Sequence, residues 1–293
     1  MRRALLVVNP AARRARRVHA AAREAFARAG VECDEVVTTA PGDGAAACAE
    51  RQGAYDAVFT LGGDGTAMEV VGALAGTGRA VGVLAGGTGN LIARTLGIPL
   101  DVRRAVPALL AGDVARIDLG LLDSGRRFAF AAGVGIDARM IEGTPAALKR
   151  RLGVLAYVIT AARAVLRRER FMVRVTVDGE VHEREAAAVM VANFGAVLNE
   201  LIWLGPGIRQ DDGLLDLCVF SPRTHRDAAR IVWRLLRKRF DEQDACLLYR
   251  PGRRFRVETT PSCPAQADGE LLGATPFGVV VEPGAATLLV PRS

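Results

Sequence analysis

Two glycine-rich segments, Gly62-Gly63-Asp64-Gly65-Thr66 and Gly86-Gly87-Thr88-Gly89-Asn90, each follow a short apolar run and each lead into helix-like sequence. That order, twice repeated, constrains the fold more than any other feature. Ala4 to Val8, Ala57 to Leu61 and Ala80 to Leu84 read as strands buried on both faces, and Val31 to Thr38 as a further strand. Helical segments are expected at Arg13 to Ala29, at Cys48 to Gly53 and at Thr66 to Leu74, followed by Leu91 to Leu96 and Val102 to Leu110. Such alternation predicts a doubly wound parallel α/β domain. From Arg116 the pattern changes to two-residue alternation, so the second half is expected to be mostly β. Strands are expected at Ile117 to Leu122, Phe128 to Ala132, Phe171 to Val177, Ala186 to Ala192, Leu215 to Phe220, Phe255 to Thr259 and Val279 to Glu282. Helical segments at Pro145 to Arg168 and Arg226 to Arg239 interrupt them. The expected boundary lies near Asp118, giving domains 1–117 and 118–293, and 293 residues suffice for two cores.

Half of the residues are hydrophobic and 24% are charged, which excludes long disorder. The net charge is +7, and only Lys149 and Lys238 of the 39 basic residues are lysines. Guanidinium groups favour phosphates and anionic headgroups, although the arginine and alanine richness reads equally as coding bias. Five cysteines without CxxC spacing suggest neither a disulfide framework nor a zinc site, so a reducing cytoplasm is expected. The apolar run after Arg2-Arg3 is too short for a signal peptide, and Leu152 to Ala162 is too short to span a bilayer. His19, His182 and His225 have no partners nearby in sequence, and no GxSxG occurs, so hydrolase and zinc readings lack support.

Glycine lets backbone amides approach a ligand. After Ala57 to Leu61, the amides of Gly62 to Thr66, the positive end of the following helix and the Thr66 hydroxyl suit phosphate oxygens. Asp64 among phosphates is repulsive unless a cation lies between them, which points to a nucleotide carrying Mg²⁺. Two such loops on one sheet fall at its carboxyl edge, where ligands of open α/β sheets bind. Neither loop matches GxxxxGK[ST] or GxGxxG, so generic NAD binding is disfavoured. The bland alternative is a pair of tight strand-to-helix turns.

Asn9-Pro10, Gly62 to Thr66, and Leu84 to Asn90 followed by Gly97-Ile98-Pro99 resemble the diacylglycerol kinase catalytic-domain family, bacterial soluble lipid kinases related to sphingosine and ceramide kinases. Gly133-Val134-Gly135-Ile136-Asp137, Asp211 to Asp216 and Asp268-Gly269-Glu270 resemble its later motifs, so the likeness covers almost the whole chain. The resemblance implies a Rossmann-like ATP-binding α/β domain followed by a mostly antiparallel β-sandwich that binds lipid. It further implies that Asn9, Thr38, Gly62, Gly63, Asp64, Gly65, Thr66, Ala67, Met68, Glu69, Gly87, Thr88 and Asn90 serve ATP, with Asp64 and Mg²⁺ holding the γ-phosphate. Glu270 matches the general base that takes the proton of the lipid hydroxyl. A second Mg²⁺ maps to Asp212, the Leu214 carbonyl and Arg209.

Three departures accompany the resemblance. An arginine side chain cannot ligate Mg²⁺, so Arg209 offers only its carbonyl, and Asp211 to Asp216 reads equally as a solvated acidic turn. Ala196 to Leu204 stands where many relatives carry glycines, which bears on the lipid entrance. Arg13 or Arg14 stands where some relatives have lysine near the phosphates. Asp268-Gly269 also reads as a type I′ hairpin turn, a role compatible with a catalytic Glu270. Leu148 to Arg170 and Ile231 to Phe240 interleave apolar and basic residues, as an interfacial patch does, or a helix with its arginines in water. The expected function is therefore an ATP- and Mg²⁺-dependent lipid kinase, cytoplasmic with transient membrane contact, whose partners are ATP and a lipid and not nucleic acid. A homodimer is compatible with the sequence and not specified by it. NAD kinase shares GGDGT, but Asn199-Glu200 lies too far from that loop to be its ribose-binding pair. A nucleotide-dependent lipid-binding protein without transfer activity is the other alternative.

Overall fold

The computed structural model describes residues 1–51, 53–135, 170–197, 202–240 and 245–292. The chain divides into two compact units, Met1–Ile117 with Gly284–Ser293, and Asp118–Pro283.

In the first unit β1 (Arg3–Val8), α1 (Ala15–Arg28), β2 (Glu32–Val37), α2 (Asp43–Glu50), β3 (Ala57–Gly62), α3 (Asp64–Ala73), β4 (Ala80–Ala85), α4 (Leu91–Thr95) and α5 (Val102–Leu110) alternate as expected. The strands run parallel in the order β2-β1-β3-β4. β1 and β3 lie inside the sheet and are apolar nearly throughout, with Leu5, Leu6, Phe59 and Leu61 fully buried. Phe26 of α1 meets Phe59 edge to face at 4.8 Å between centroids. Chain direction across the sheet reverses at β1: β2 lies on one side of it and β3 on the other. The carboxyl ends of β1 and β3 therefore form the switch point at which such sheets bind ligands.

The last ten residues depart from the expected second domain of 118–293. Leu288 pairs in parallel with Val81 of β4, and the Gly76 amide donates to Ala285 O at 2.8 Å. Covering the edge of β4 buries Leu288 and Leu289, which is why this segment joins the first unit.

The second unit follows β5 (Asp113–Leu122) with β6 (Arg127–Phe128), β7 (Ala131–Gly135), β8 (Phe171–Val177), β9 (Glu180–Ala186), β10 (Ala188–Ala192), β11 (Ala196–Val197), β12 (Ile202–Trp203), β13 (Leu215–Phe220), α6 (His225–Arg237), β14 (Leu247–Gly252), β15 (Arg254–Thr260), β16 (Pro264–Ala267), β17 (Glu270–Ala274) and β18 (Phe277–Val290). One antiparallel sheet has the order β14-β13-β10-β7-β16-β17, and β18-β15-β8-β9 pair antiparallel in another. Alternation along β10 divides its burial: Val189 and Val191 join Phe171, Val173, Phe255 and Phe277 in the core between the sheets. Ala188 and Ala192 face outward into a second cluster with Phe220, Ile231 and Leu235, so α6 covers the outer face.

The expected strand 128–132 is broken, because the Asp268 carboxylate accepts the amides of Ala129, Phe130 and Ala131 and withdraws them from the ladder. β9 escapes sequence reading because Glu180 to Glu185 is polar almost throughout, as a sheet-edge strand tolerates. The segment 196–204 holds a short ribbon in which Ala196 pairs with Trp203 and Val197 with Ile202. The expected helix 145–168, Ile136-Asp137 and Asn199-Glu200 lie outside the described residues. Among the described residues no helix is long and apolar enough to cross a membrane.

Candidate active site

Both glycine loops lie at the carboxyl ends of adjacent strands, and backbone contact locks them together. Gly86 donates to Gly62 O at 2.8 Å and accepts the Arg14 amide at 2.8 Å, which ties both loops to the start of α1. A β-carbon on Gly87 would lie 2.6 Å from Gly63 Cα, so only glycine allows this approach. Asn90 holds the turn in the left-handed region at φ 50°: its Oδ1 accepts the Gly87 amide at 2.9 Å and its Nδ2 donates to Gly87 O at 3.1 Å. Asn9 braces the first loop from β1. Its Nδ2 donates to Thr66 Oγ1 at 2.9 Å, its amide donates to Leu61 O at 3.0 Å, and its Oδ1 accepts the Ala11 amide.

The first intrahelical bond of α3 runs from the Ala67 amide to Gly63 O. The amides of Gly65 and Thr66 precede it at the helix N-terminus, where Gly65 is exposed, an arrangement suited to phosphate oxygens, while the Asp64 amide bonds its own carboxylate. Thr88 is exposed on the second loop. Burial pushes the Asp64 carboxyl above its ordinary range, while the amides of Ile92, Leu91 and Asn90 pull it back. Its Oδ1 accepts the Ile92 amide at 3.2 Å, so Asp64 links the start of α3 to α4. Thr38 follows β2 directly, with its amide 2.9 Å and its hydroxyl 3.4 Å from Val8 O. Glu69 turns toward α2, where Oε1 accepts the amides of Gly44 and Ala45 at 2.8 and 3.1 Å. Its role in the fold is to cap that helix.

The family models for "Diacylglycerol kinase catalytic domain" and "YegS C-terminal NAD kinase beta sandwich-like domain" match residues 3–122 and 131–290. The chain belongs to the diacylglycerol kinase catalytic-domain family. A diacylglycerol kinase of Bacillus subtilis is 29% identical over 282 residues, covering 94% of this chain and 92% of that protein. An uncharacterized Synechocystis protein is 31% identical over 239 residues, 80% of this chain; the chain spans only 54% of its length. A crystal structure of a candidate diacylglycerol kinase from Bacillus anthracis superposes with a TM-score of 0.83 at 26% identity, covering 98% of this chain and 95% of that one.

In this lipid kinase family member, Glu270 opens β17 directly after a two-residue turn. Asp268 at φ 47° and Gly269 at φ 86° form the I′ hairpin that the sequence suggested. The Glu270 carboxylate is exposed and accepts from Arg126 Nη2 at 2.5 Å. Asp268 beside it is a strut, gathering the three amides of 129–131. Sequence reasoning left two other buried struts unassigned. Asn193 donates to Asp118 O at 2.8 Å and Ala129 O at 2.9 Å, and Asp118 Oδ2 accepts the Gly213 amide at 2.7 Å. Their signal was a lone polar residue inside an apolar run.

The expected second Mg²⁺ finds a poor donor set. The Arg209 guanidinium binds Asp211 at 3.1 Å, Asp212 Oδ1 accepts the Leu214 amide at 3.0 Å, and both acids are exposed. Among the described residues no group of three His, Cys, Asp or Glu side chains converges as a metal site. Arg209 puts positive charge where the expectation needed a ligand, so the residues present do not fit this metal.

Proposed function

We propose that the chain transfers the γ-phosphoryl group of ATP to a hydroxyl of a lipid such as diacylglycerol or a sphingoid base, with Mg²⁺ entering as part of the nucleotide substrate. The observation that supports this most is the cradle formed by the amides of Gly65 and Thr66 at the start of α3 against the second glycine loop, in a family of lipid kinases. Thr66, steadied by Asn9, and exposed Thr88 add hydroxyl donors to the same edge. In the transfer the acceptor oxygen bonds to the γ-phosphorus, the bridging P–O bond breaks, and ADP leaves. Glu270 receives the hydroxyl proton late in that step, with Arg126 orienting the carboxylate through Oε2. Asp64, less acidic than an ordinary aspartate through burial, gains from a cation brought by the phosphates. A lipid acceptor implies peripheral contact with a membrane from the cytoplasm.

The test is transfer of labelled γ-phosphate to diacylglycerol and a sphingoid base in mixed micelles, with and without Mg²⁺. Asp64→Ala and Glu270→Gln are each expected to lower labelling at least about 10²-fold. Labelling of NAD instead, or ATP binding without any labelled acceptor, would overturn the reading.

A further inference from the structure

α6 carries two apolar stripes where a helix packed on a sheet needs one. Ala228, Ile231 and Leu235 are buried, the last two in the outer cluster over β10 and β13. Ala229, Val232, Trp233 and Leu236, at i, i+3, i+4 and i+7, form a second stripe in solvent, with Val232 48%, Trp233 55% and Leu236 39% exposed. Large exposed apolar residues occur elsewhere among the described residues, at Val114 and Leu271 for example, but scattered, which needs no explanation. A contiguous stripe does.

Basic residues border it. Arg226, Arg230, Arg234 and Arg237 follow one edge of the helix, and exposed Lys238 and Arg239 extend them past its end. The Arg237 guanidinium lies 4.3 Å from the Trp233 ring centroid and the Lys238 ammonium 4.1 Å from that of Trp203, so cations and rings form one surface. Asp227 is the one acid of α6. Its carboxylate serves the capping box with Thr224 and an ion pair with Arg230 at 3.2 Å, so it offsets one charge of a basic edge that holds four arginines, with Lys238 and Arg239 beyond.

We propose that this outward face of α6 docks on an anionic lipid bilayer, the helix lying in the interface with Trp233, Val232 and Leu236 among the acyl chains and the arginines on headgroup phosphates. The inference rests on the proposed function only in that a lipid acceptor must be met in a membrane. Charge and shape favour a bilayer, because one surface offers negative charge and an apolar layer along the whole helix, about 20 Å long. A rigid capped helix with an amphipathic Trp beside arginine stems matches that profile.

Trp203 and Trp233 are the only tryptophans, so Trp203→Phe leaves Trp233 as the sole reporter. The full chain carrying Trp203→Phe is mixed with vesicles of phosphatidylcholine alone, and of phosphatidylcholine with phosphatidylglycerol, without ATP. Expected are a blue shift of emission and quenching by brominated acyl chains on the anionic vesicles only. In sedimentation, the otherwise native W233A/L236A chain should bind these vesicles at least about 10-fold more weakly. R226Q/R237Q/R239Q should lose about fivefold per arginine, with the remaining binding less salt-dependent. Thermal melts matching the parent show that each variant is folded. Unchanged Trp233 emission on vesicles to which the chain binds, or equal binding by W233A/L236A, would overturn the proposal. So would a dimer in sedimentation velocity that W233A/L236A abolishes, since a second copy would then cover the face. Because no transfer is measured, lipid docking without kinase activity leaves this surface standing while the kinase reading falls.

Discussion

Replacing Gly87 by alanine tests the close approach on which the proposed nucleotide cradle depends. The added carbon would sit 2.6 Å from Gly63 Cα, nearly an ångström inside ordinary contact, and the obstacle is backbone that cannot rotate away. The loops must separate, straining the Gly86 to Gly62 hydrogen bond and the Asn90 clamp on Gly87. Overpacking of this kind costs about 1–3 kcal/mol. At about 2–4 °C per kcal/mol the melting temperature should fall by roughly 2–12 °C. Gly63→Ala is the matched control: its β-carbon would meet Gly87 Cα at 3.7 Å, and its backbone at φ −93° accepts any residue. Differential scanning calorimetry with ATP titration separates the two, Gly87→Ala losing stability and at least tenfold in ATP affinity while Gly63→Ala melts like the parent. If Gly87→Ala melted within a degree of the parent and bound ATP unchanged, the packed-loop account would be wrong.

Asp268→Ala should cost about 3 kcal/mol in urea unfolding, since three amides lose a charged acceptor; a loss below about 1 kcal/mol would show that water replaces it. Glu270→Gln should leave stability within about 1 kcal/mol, because its pair with Arg126 is exposed, yet lower transfer by about 10²–10⁴-fold; retained turnover would remove Glu270 from the reaction. Burial, then the charge of Asp212, pushes Asp216 up to about 6 from an ordinary 3.8. The folded state therefore holds its proton more tightly than the unfolded one, a stabilisation full below about pH 4 and lost as pH rises through about 6. Asp216→Asn should remove that slope and melt above the parent at pH 7 but with it near pH 4; parallel melting curves across that range would contradict it.

The first unit was largely legible because its signals are local. Continuous apolar runs at Leu5 and Phe59 mark interior strands, and glycines at 62–63 and 86–87 mark the turns. What local reading missed depends on distant partners. The return of Leu288 to β4 follows from an open sheet edge that no window around Leu288 contains. The break of the expected strand 128–132 is caused by Asp268, about 140 positions away. β9 was hidden because a sheet-edge strand owes the core only one face, and Glu180 to Glu185 supplies almost no apolar period. Arg209 was flagged as a poor metal ligand, and its ion pair with Asp211 follows from the same chemistry.

Among the motif residues, the structure separates those that shape the cradle from those left to act. Asn90, Glu69 and Asp268 spend their polar atoms on loop, helix and turn backbone, and Asn9 divides its own between the Ala11 amide and the Thr66 hydroxyl, so their substitution should register first in stability. The amides of Gly65 and Thr66, the exposed Thr88 and the exposed carboxylate of Glu270 contribute less to the fold. Asp64 belongs to both groups: one oxygen accepts the Ile92 amide, yet burial opposes its charge. Retaining a carboxylate that is costly in the free protein makes physical sense if a cation arriving with the phosphates stabilises it. An asparagine there would keep an acceptor for Ile92 and relieve the burial cost, but could not supply that charge. Asp64→Asn should therefore fold at least as stably as the parent and bind ATP more weakly in Mg²⁺ than the parent does, while without Mg²⁺ the two bind alike; a variant that matched the parent in Mg²⁺ would leave the charge of Asp64 without a function in nucleotide binding.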